Sequence, residues 1–488
     1  MKVGEAADLM GANATSLSAE VFDNQITDYS IDSRSVGAGE LFFALSQKDY
    51  VRAGFNGEFA DGHQFIAEAF KRGAIAAVGR KDRVTGDTDL EALKERLLLV
   101  DDAIAALQKL AHCVYEAWNR PVVAITGSAG KTTAKELTAH VLKSAGYRVL
   151  KSERNYNNGL GLPLSVLRMV SQGSSPDQYD LAVLEMGMSS PTHEIRRLCE
   201  ITPPDVGVEL MVAPVHLEYL GTIENIAAAK AELIEGLKPQ GTAILNADDP
   251  LVMKMREKHS GPILTFGIEA DADVMATRIS TASLGKITFL LRTPLGESEA
   301  SLPMSGRHNL SNALAAAAVG SSFDLPPDHI AAALSTATPP KMRGEVFEFA
   351  AGFSVIDDSY NSNPRSLMNM VRTMAEGGRD RKRLLVVAGE MLELGPDESE
   401  LHRGVGRDIA RSGIHELWGV RGLATEIVAG AREEGLTATR FFNSAAEAAA
   451  ALSEEVRAGD LILVKGSRGV ATDKVVSALR QRYELKKE

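Results

Sequence analysis

Short, unbroken apolar runs separated by helical patterns set the character of the chain. Val122-Val123-Ala124-Ile125, Leu181-Ala182-Val183-Leu184 ending on Glu185, the stretch Val206 to Val212, and Thr242 to Asn246 each have strand length without the alternation of a half-exposed strand. Runs of this kind belong to strands buried on both faces, as in a parallel sheet covered by helices. The pattern returns after residue 340. Ser354 to Asp357, Leu384 to Ala388, Glu416 to Val420 and Asp460 to Val464 again alternate with helical segments, a Rossmann-like arrangement. Before residue 118 the pieces are shorter: Ile31 to Arg34, Leu41 to Leu45 and the helix-like Asp61 to Ala69. The expected fold is α/β in three domains, a small one over 1–117, a central parallel-sheet domain over 118–338 and a Rossmann-like domain over 339–488. Pro339-Pro340, following an alanine-rich helix, form the expected hinge between the second and third.

Composition narrows the class. A chain of 488 residues with 44% hydrophobic and 24% charged positions is too long for one core and has the balance of a folded, multidomain protein. The net charge of −12 comes without any basic stripe, which argues against a nucleic-acid coat. The two cysteines, Cys113 and Cys199, lie in no metal-ligand spacing and exclude a disulfide framework. Met1 to Ala12 lack the basic patch and apolar core of a signal peptide, and no apolar run reaches about 18 residues, so a cytoplasmic protein without membrane insertion is expected.

The sharpest local signal follows the first strand. Thr126-Gly127-Ser128-Ala129-Gly130-Lys131-Thr132-Thr133 lies between a strand and a helix. Its glycines let backbone N–H groups close on phosphate oxygens, Lys131 brings charge, Thr132 offers a hydroxyl to Mg²⁺, and the helix N-terminus favours an anion. The loop is shorter than GxxxxGK[ST], because Ile125 stands where the first glycine would fall. Glu185, at the carboxyl end of the next apolar run, is positioned as a Mg²⁺ ligand, and His216 is a second candidate. Lys230 has Ile226, Ala227, Leu233 and Ile234 at the positions one turn away and no acidic partner among them. A lysine so surrounded is a candidate for burial, which favours the neutral amine able to add CO₂ as a carbamate.

Taken together, the motifs resemble the Mur ligase family, ATP-dependent amide-forming enzymes of peptidoglycan precursor synthesis. The matching blocks are the phosphate loop, Asn155-Tyr156-Asn157-Asn158-Gly159-Leu160-Gly161-Leu162-Pro163, His216-Leu217-Glu218, Ala229-Lys230 and Gly306-Arg307-His308-Asn309-Leu310-Ser311-Asn312. The resemblance implies Gly127 to Thr133 on the ATP phosphates and Thr132 with Glu185 on one Mg²⁺. It implies His216 and a carbamylated Lys230 on a second Mg²⁺, and Asn309 and Asn312 facing the nucleotide. It further implies Arg343 on the γ-phosphate, Asp358 on the ribose, and Ser33, Arg34 and Asn158 on the second substrate.

Asp32-Ser33-Arg34, with Gly39 to Ala44 and Asp61-Gly62-His63, is similar to the uridine-diphosphate-binding domain of two members of the family. Asp357 to Pro364, Gly389 to Gly395, His402 and Lys465-Gly466-Ser467-Arg468 are similar to the member that joins D-alanyl-D-alanine to a UDP-N-acetylmuramoyl-tripeptide, and no Asp-Asn-Pro-Arg block of the diaminopimelate-adding member is present. A monomer acting through an acyl phosphate is the expectation. The rivals are a tripeptide-forming or folylpolyglutamate-type ligase and, in another class, an ATP-hydrolysing regulatory module. Two departures stand out: Ala129 where a polar residue is usual, and Val208-Glu209-Leu210-Met211 where the family has an Asn- or Thr-containing strand end, so that Glu209 adds negative charge near the metals.

Overall fold

The computed structural model of the chain describes all residues except 56, 154, 189–192, 215–219 and 487–488, and the side chains of 282 and 283. Three sheets organise the described residues. The first is parallel, in the order β1 (Tyr29–Ser30), β2 (Leu41–Phe43), β3 (Ala76–Arg80) and β4 (Leu97–Val100). Ile31 to Arg34 do not extend β1. Asp32 Oδ1 accepts from the Arg34 N–H and the Asp32 carbonyl from Ser35, a local turn that competes with strand pairing. The helix Ala103–Trp118 follows, its N-terminus capped by the Asp102 carboxylate, and it buries Leu107, Leu110, Val114 and Trp118 before delivering the chain to the second sheet.

The second sheet runs β13-β12-β11-β10-β9-β8-β5-β7-β6. Its strands are β5 (Val122–Thr126), β6 (Val149–Lys151), β7 (Leu181–Glu185), β8 (Val206–Glu209), β9 (Thr242–Asn246), β10 (Ile263–Gly267), β11 (Val274–Ser283), β12 (Lys286–Thr293) and β13 (Gly296–Leu302). Pairing is parallel from β6 through β11, and β11 to β13 close the edge as an antiparallel meander that the apolar runs did not reveal. β5 lies between β7 and β8 with all five residues buried, so the chain leaves it to build outward on both sides, and the carboxyl ends around it are the place where such sheets bind ligands. β8 ends at Glu209, short of the expected Val212. Met211 and Ala213 leave the ladder to hold the phosphate loop instead: the Met211 carbonyl accepts from the Ser128 N–H at 2.8 Å, and the Ala213 N–H donates to Ser128 Oγ at 2.9 Å.

The third sheet has the order β14-β15-β19-β16-β17-β18, formed by β14 (Glu345–Glu348), β15 (Ser354–Asp358), β16 (Arg383–Gly389), β17 (Glu416–Val420), β18 (Thr439–Phe442) and β19 (Asp460–Lys465). It is parallel except for β14. Its apolar faces make two cores, one around Leu367, Val371 and Leu463 and one around Trp418, Phe353 and Ile462. The helix Pro327–Ser335 ends before Pro339-Pro340, which lie in extended linking chain. No helix among the described residues is long and apolar enough to cross a membrane.

Candidate active site

The loop between β5 and the helix Lys131–Ser144 is shaped by two glycines whose backbones a side chain would forbid. Gly127 (φ +152°) lies where a Cβ would come 2.8 Å from Leu210 Cβ, and Gly130 (φ +86°) where a Cβ would collide with the Asn312 side chain. The loop is thereby pressed against the helix Arg307–Ser322, whose alanines pack in the same core as the helix Lys131–Ser144. Lys131 Nζ folds back to the Gly127 carbonyl at 2.9 Å, an internal partner exchangeable for a phosphate oxygen. Burial lowers its amine below the ordinary lysine range, an effect Arg343 adds to and Glu185 and Glu209 oppose.

Glu185 ends β7 one strand away. Thr132 Oγ1 donates to its Oε2 and Asn157 Nδ2 to its Oε1, both at 2.8 Å, and the Glu185 N–H donates to Ser152 Oγ at 3.0 Å. A hydroxyl and a carboxylate side by side at a phosphate loop suit Mg²⁺, which takes few protein oxygens and completes its shell with water and nucleotide phosphate. Among the described residues no three His, Cys, Asp or Glu side chains converge as a metal site.

A cavity of about 680 Å³ opens over this loop, and its far wall comes from the third domain. Gly130, Lys131, Thr132, Glu185, Asn309 and Asn312 line one side, and Arg343, Tyr360 and Asp358 the other. The Arg343 guanidinium stacks on the Tyr360 ring at 4.1 Å from its centroid, which holds a planar donor fork toward the loop. Asp358 is paired with Lys465, whose amine also donates to the Asn361 carbonyl at 2.8 Å. Asn309 Nδ2 donates to the Ser305 carbonyl at 2.8 Å, so it braces the turn into its helix while facing the cavity. Arg365 reaches back across the cleft to the Val212 carbonyl at 3.3 Å.

His308 belongs to this wall as well, although its motif alone gave it no role. Burial pushes its imidazole down to about 4, with Asp358 opposing and Lys465 reinforcing the shift. An unfolded chain takes up this proton near 6.5 and the folded one only near 4. The stability it contributes is therefore complete above the higher value and is lost as pH falls toward the lower. Because the ring keeps contact with cavity water, the expected loss between about pH 7.5 and about pH 5 is about 1 kcal/mol. Urea unfolding at the two pH values measures it, and His308→Gln should flatten the difference.

Lys230 and Glu209 lie below the cavity and do not line it. Lys230 is 2% exposed and Glu209 fully buried, and both Glu209 carboxylate oxygens lack a hydrogen-bond partner among the described residues. Burial raises the Glu209 carboxyl above the usual carboxylate range and lowers the Lys230 amine, while each attracts the other. The burial expected for Lys230 is thus present, and the carboxylate that acts on it comes from β8 rather than from its own helix.

The remaining expected residues are divided between the cavity and the rest of the chain. Asn158 lines the cavity, but its side-chain oxygen accepts from the Leu160 and Gly161 N–H groups at the start of the helix Gly161–Leu167. Ser33 and Arg34 lie on the first domain away from the cavity, where Arg34 is exposed and makes a two-pronged pair with Asp32. His216 lies outside the described residues.

Comparison with known proteins agrees with this layout. Three family models match in chain order: the Mur ligase family catalytic domain over residues 25–115, the Mur ligase middle domain over 125–320, and the Mur ligase glutamate ligase domain over 342–468. The UDP-N-acetylmuramoyl-tripeptide--D-alanyl-D-alanine ligase of Bacillus subtilis is 33% identical over 92% of each chain. The crystal structure of MurF from Acinetobacter baumannii superposes with a TM-score of 0.81 at 28% identity over 98% of both chains. The MurF ligase of Thermotoga maritima in complex with ADP gives 0.76 at 27% identity over 93% of this chain and 97% of that one. By sequence over nearly its whole length and by three-domain architecture, the chain belongs to the Mur ligase family of ATP-dependent ligases.

Proposed function

We propose that the chain joins D-alanyl-D-alanine to the terminal carboxylate of a UDP-N-acetylmuramoyl-tripeptide, with the work divided among 1–117 for the UDP moiety, 118–338 for ATP and 339–488 for the dipeptide. The observation that carries this reading is the convergence of Lys131, Glu185 and Arg343 on one cavity between two domains, in a chain that matches a ligase of this specificity over 92% of its length. A carboxylate is a poor electrophile, and amide formation needs one of its oxygens turned into a leaving group. The peptide carboxylate attacks the γ-phosphorus of ATP, the bond to the β-γ bridging oxygen breaks, and ADP leaves. Lys131, donating from the loop, and Arg343, donating from the opposite wall, stabilise the charge spreading over the transferred phosphoryl group. Mg²⁺ held by Thr132 and Glu185 would neutralise phosphate charge there. The dipeptide amine then attacks the acyl carbon, loses a proton, and inorganic phosphate departs with the oxygen that began on the carboxylate.

Gly127 to Thr133, Asn309, Asn312 and Asp358 bind the nucleotide in this scheme, and Ser33, Arg34 and Asn158 the UDP-peptide. Walls from two domains orient both reactants and exclude the water that would hydrolyse an acyl phosphate. A cytoplasmic site of action follows from a nucleotide-linked substrate and ATP. His216, which lies outside the described residues, would hold a second Mg²⁺ together with Lys230. Lys230 has the buried amine that a carbamate needs. ADP release by the purified chain across a panel of UDP-muramoyl peptides, with D-alanyl-D-alanine set against single amino acids, tests the proposal. Turnover should require the tripeptide and the dipeptide together. Equal turnover with neither, or with a free amino acid in place of the dipeptide, would overturn it.

A further inference from the structure

The helix Pro364–Gly377 of the third domain lies along the cavity and carries a polar stripe that the ligation scheme leaves without a task. Arg365, Asn369, Arg372 and Glu376 recur at the spacing of one helix face, and each of them lines the cavity. Contacts at either end fix how the helix lies. At its start, Arg365 Nη1 donates to the Val212 carbonyl at 3.3 Å, and the residues on either side of Val212 are those that hold Ser128 of the phosphate loop. Further on, a Cβ on Gly306 would come 2.6 Å from Thr373 Oγ1, which puts Thr373 against the turn leading into the helix Arg307–Ser322. The stripe therefore runs away from the phosphate loop. Arg365 stands at its near end, and Arg372 lies about 10 Å further along the helix axis.

The lysines and arginines of the cavity differ in what they have left to offer. Lys131 folds to the Gly127 carbonyl beside the phosphate site, and Arg343, stacked on Tyr360, is placed for the transferred phosphoryl group. Lys465 pairs with Asp358, Arg307 with Glu269, and Arg365 holds Val212. Arg372 is exposed and makes no hydrogen bond or ion pair with another described residue, although Glu376 lies one turn beyond it. We propose that Arg372 binds the carboxylate of the incoming dipeptide, with Asn369 beside it as a further donor. A guanidinium fork matches both oxygens of a carboxylate, and a dipeptide brings one such group. Length supports the assignment. An extended dipeptide spans about 7 Å, so one anchored at Arg372 and lying along the stripe toward Arg365 brings its amine close to the phosphate loop. A single amino acid spans about half of that and leaves its amine short. An acceptor longer by one residue would push its carboxylate toward Glu376, a like charge. The inference rests on the ligase reading and assigns the acceptor's place within it.

The test compares D-alanyl-D-alanine with its C-terminal carboxamide, which keeps the length and loses the charge, as acceptors for the full-length protein at saturating ATP and UDP-muramoyl tripeptide. Wild type should prefer the acid by roughly 10- to 100-fold in kcat/KM, the worth of hydrogen bonds to a charged group. Arg372→Ala should raise the KM for the dipeptide by a similar factor and affect kcat less, so that acid and carboxamide are used about equally. The KM values for ATP and for the UDP-peptide should stay near those of wild type. Arg372→Gln covers the case in which the alanine variant folds poorly, and should show the same loss of preference. A merely structural role would slow both acceptors and keep their ratio. Preference for the acid surviving in either variant, no preference in wild type, or a rise in the KM for ATP in place of the dipeptide would overturn the inference. A wild-type chain that turns over neither acceptor would instead contradict the ligase reading, so the two failures are distinct.

Discussion

Lys131→Ala should abolish ATP-dependent ligation, lowering turnover by at least roughly 1,000-fold with the fold retained. The reason is local. Lys131 is the amine donor of the phosphate loop, held by the Gly127 carbonyl until phosphate replaces it, and Glu185 and Glu209 oppose the lowering that burial imposes on it. Alanine leaves the glycine turns and the Ser128 contacts to Met211 and Ala213 in place, so circular dichroism and the unfolding midpoint should change little. Steady-state ADP release with both substrates present is the measurement. Activity within about tenfold of wild type would remove Lys131 from the phosphoryl-transfer step.

The second large effect should come from across the cleft. Arg343→Ala is expected to reduce kcat by roughly 1,000-fold while leaving the KM for the UDP-peptide nearly unchanged, because the first domain is not touched. Arg343→Lys should rescue little of this. Lysine offers a point charge and no plane to stack on Tyr360, whereas the arginine fork is held in place by that ring. A variant in which KM for the UDP-peptide rises and kcat is preserved would assign Arg343 to substrate binding instead.

Much of this arrangement was legible before any coordinates because it is written in contiguous residues. β7 and β9 coincide with their apolar runs, and β5 differs from its run by one residue, since strands buried on both faces leave continuous hydrophobic stretches. The meander β11 to β13 left no such stretch. Along β12 buried and exposed residues alternate, as they do on a sheet edge with one solvated face, and a run-length reading passes over it. The truncation of β8 was invisible for another reason: what ends it is a hydrogen bond to Ser128, more than eighty residues earlier. Lys230 could be picked out by the apolar residues on its own helix, but the carboxylate that acts on it lies on a strand twenty-one positions away. Glu209 registered in the sequence only as a departure from a pattern, and its unpartnered oxygens and shared layer with Lys230 follow from β8 and the helix Ile223–Glu235 packing face to face. His308 is a similar case, since its imidazole is lowered first by burial against the cavity wall, with Lys465 of the other domain adding to the shift and Asp358 opposing it.

The whole scheme turns on an oxygen atom. If the γ-phosphoryl group passes to the peptide carboxylate before the dipeptide amine attacks, a tripeptide labelled with ¹⁸O in its terminal carboxylate must give up one labelled oxygen to the inorganic phosphate released in each turnover. Mass spectrometry of that phosphate should show the single label at close to full enrichment. Phosphate whose fourth oxygen comes from solvent, with the label retained in the peptide, would mean that water rather than the substrate accepts the phosphoryl group, and the account given for Lys131, Glu185 and Arg343 would be wrong.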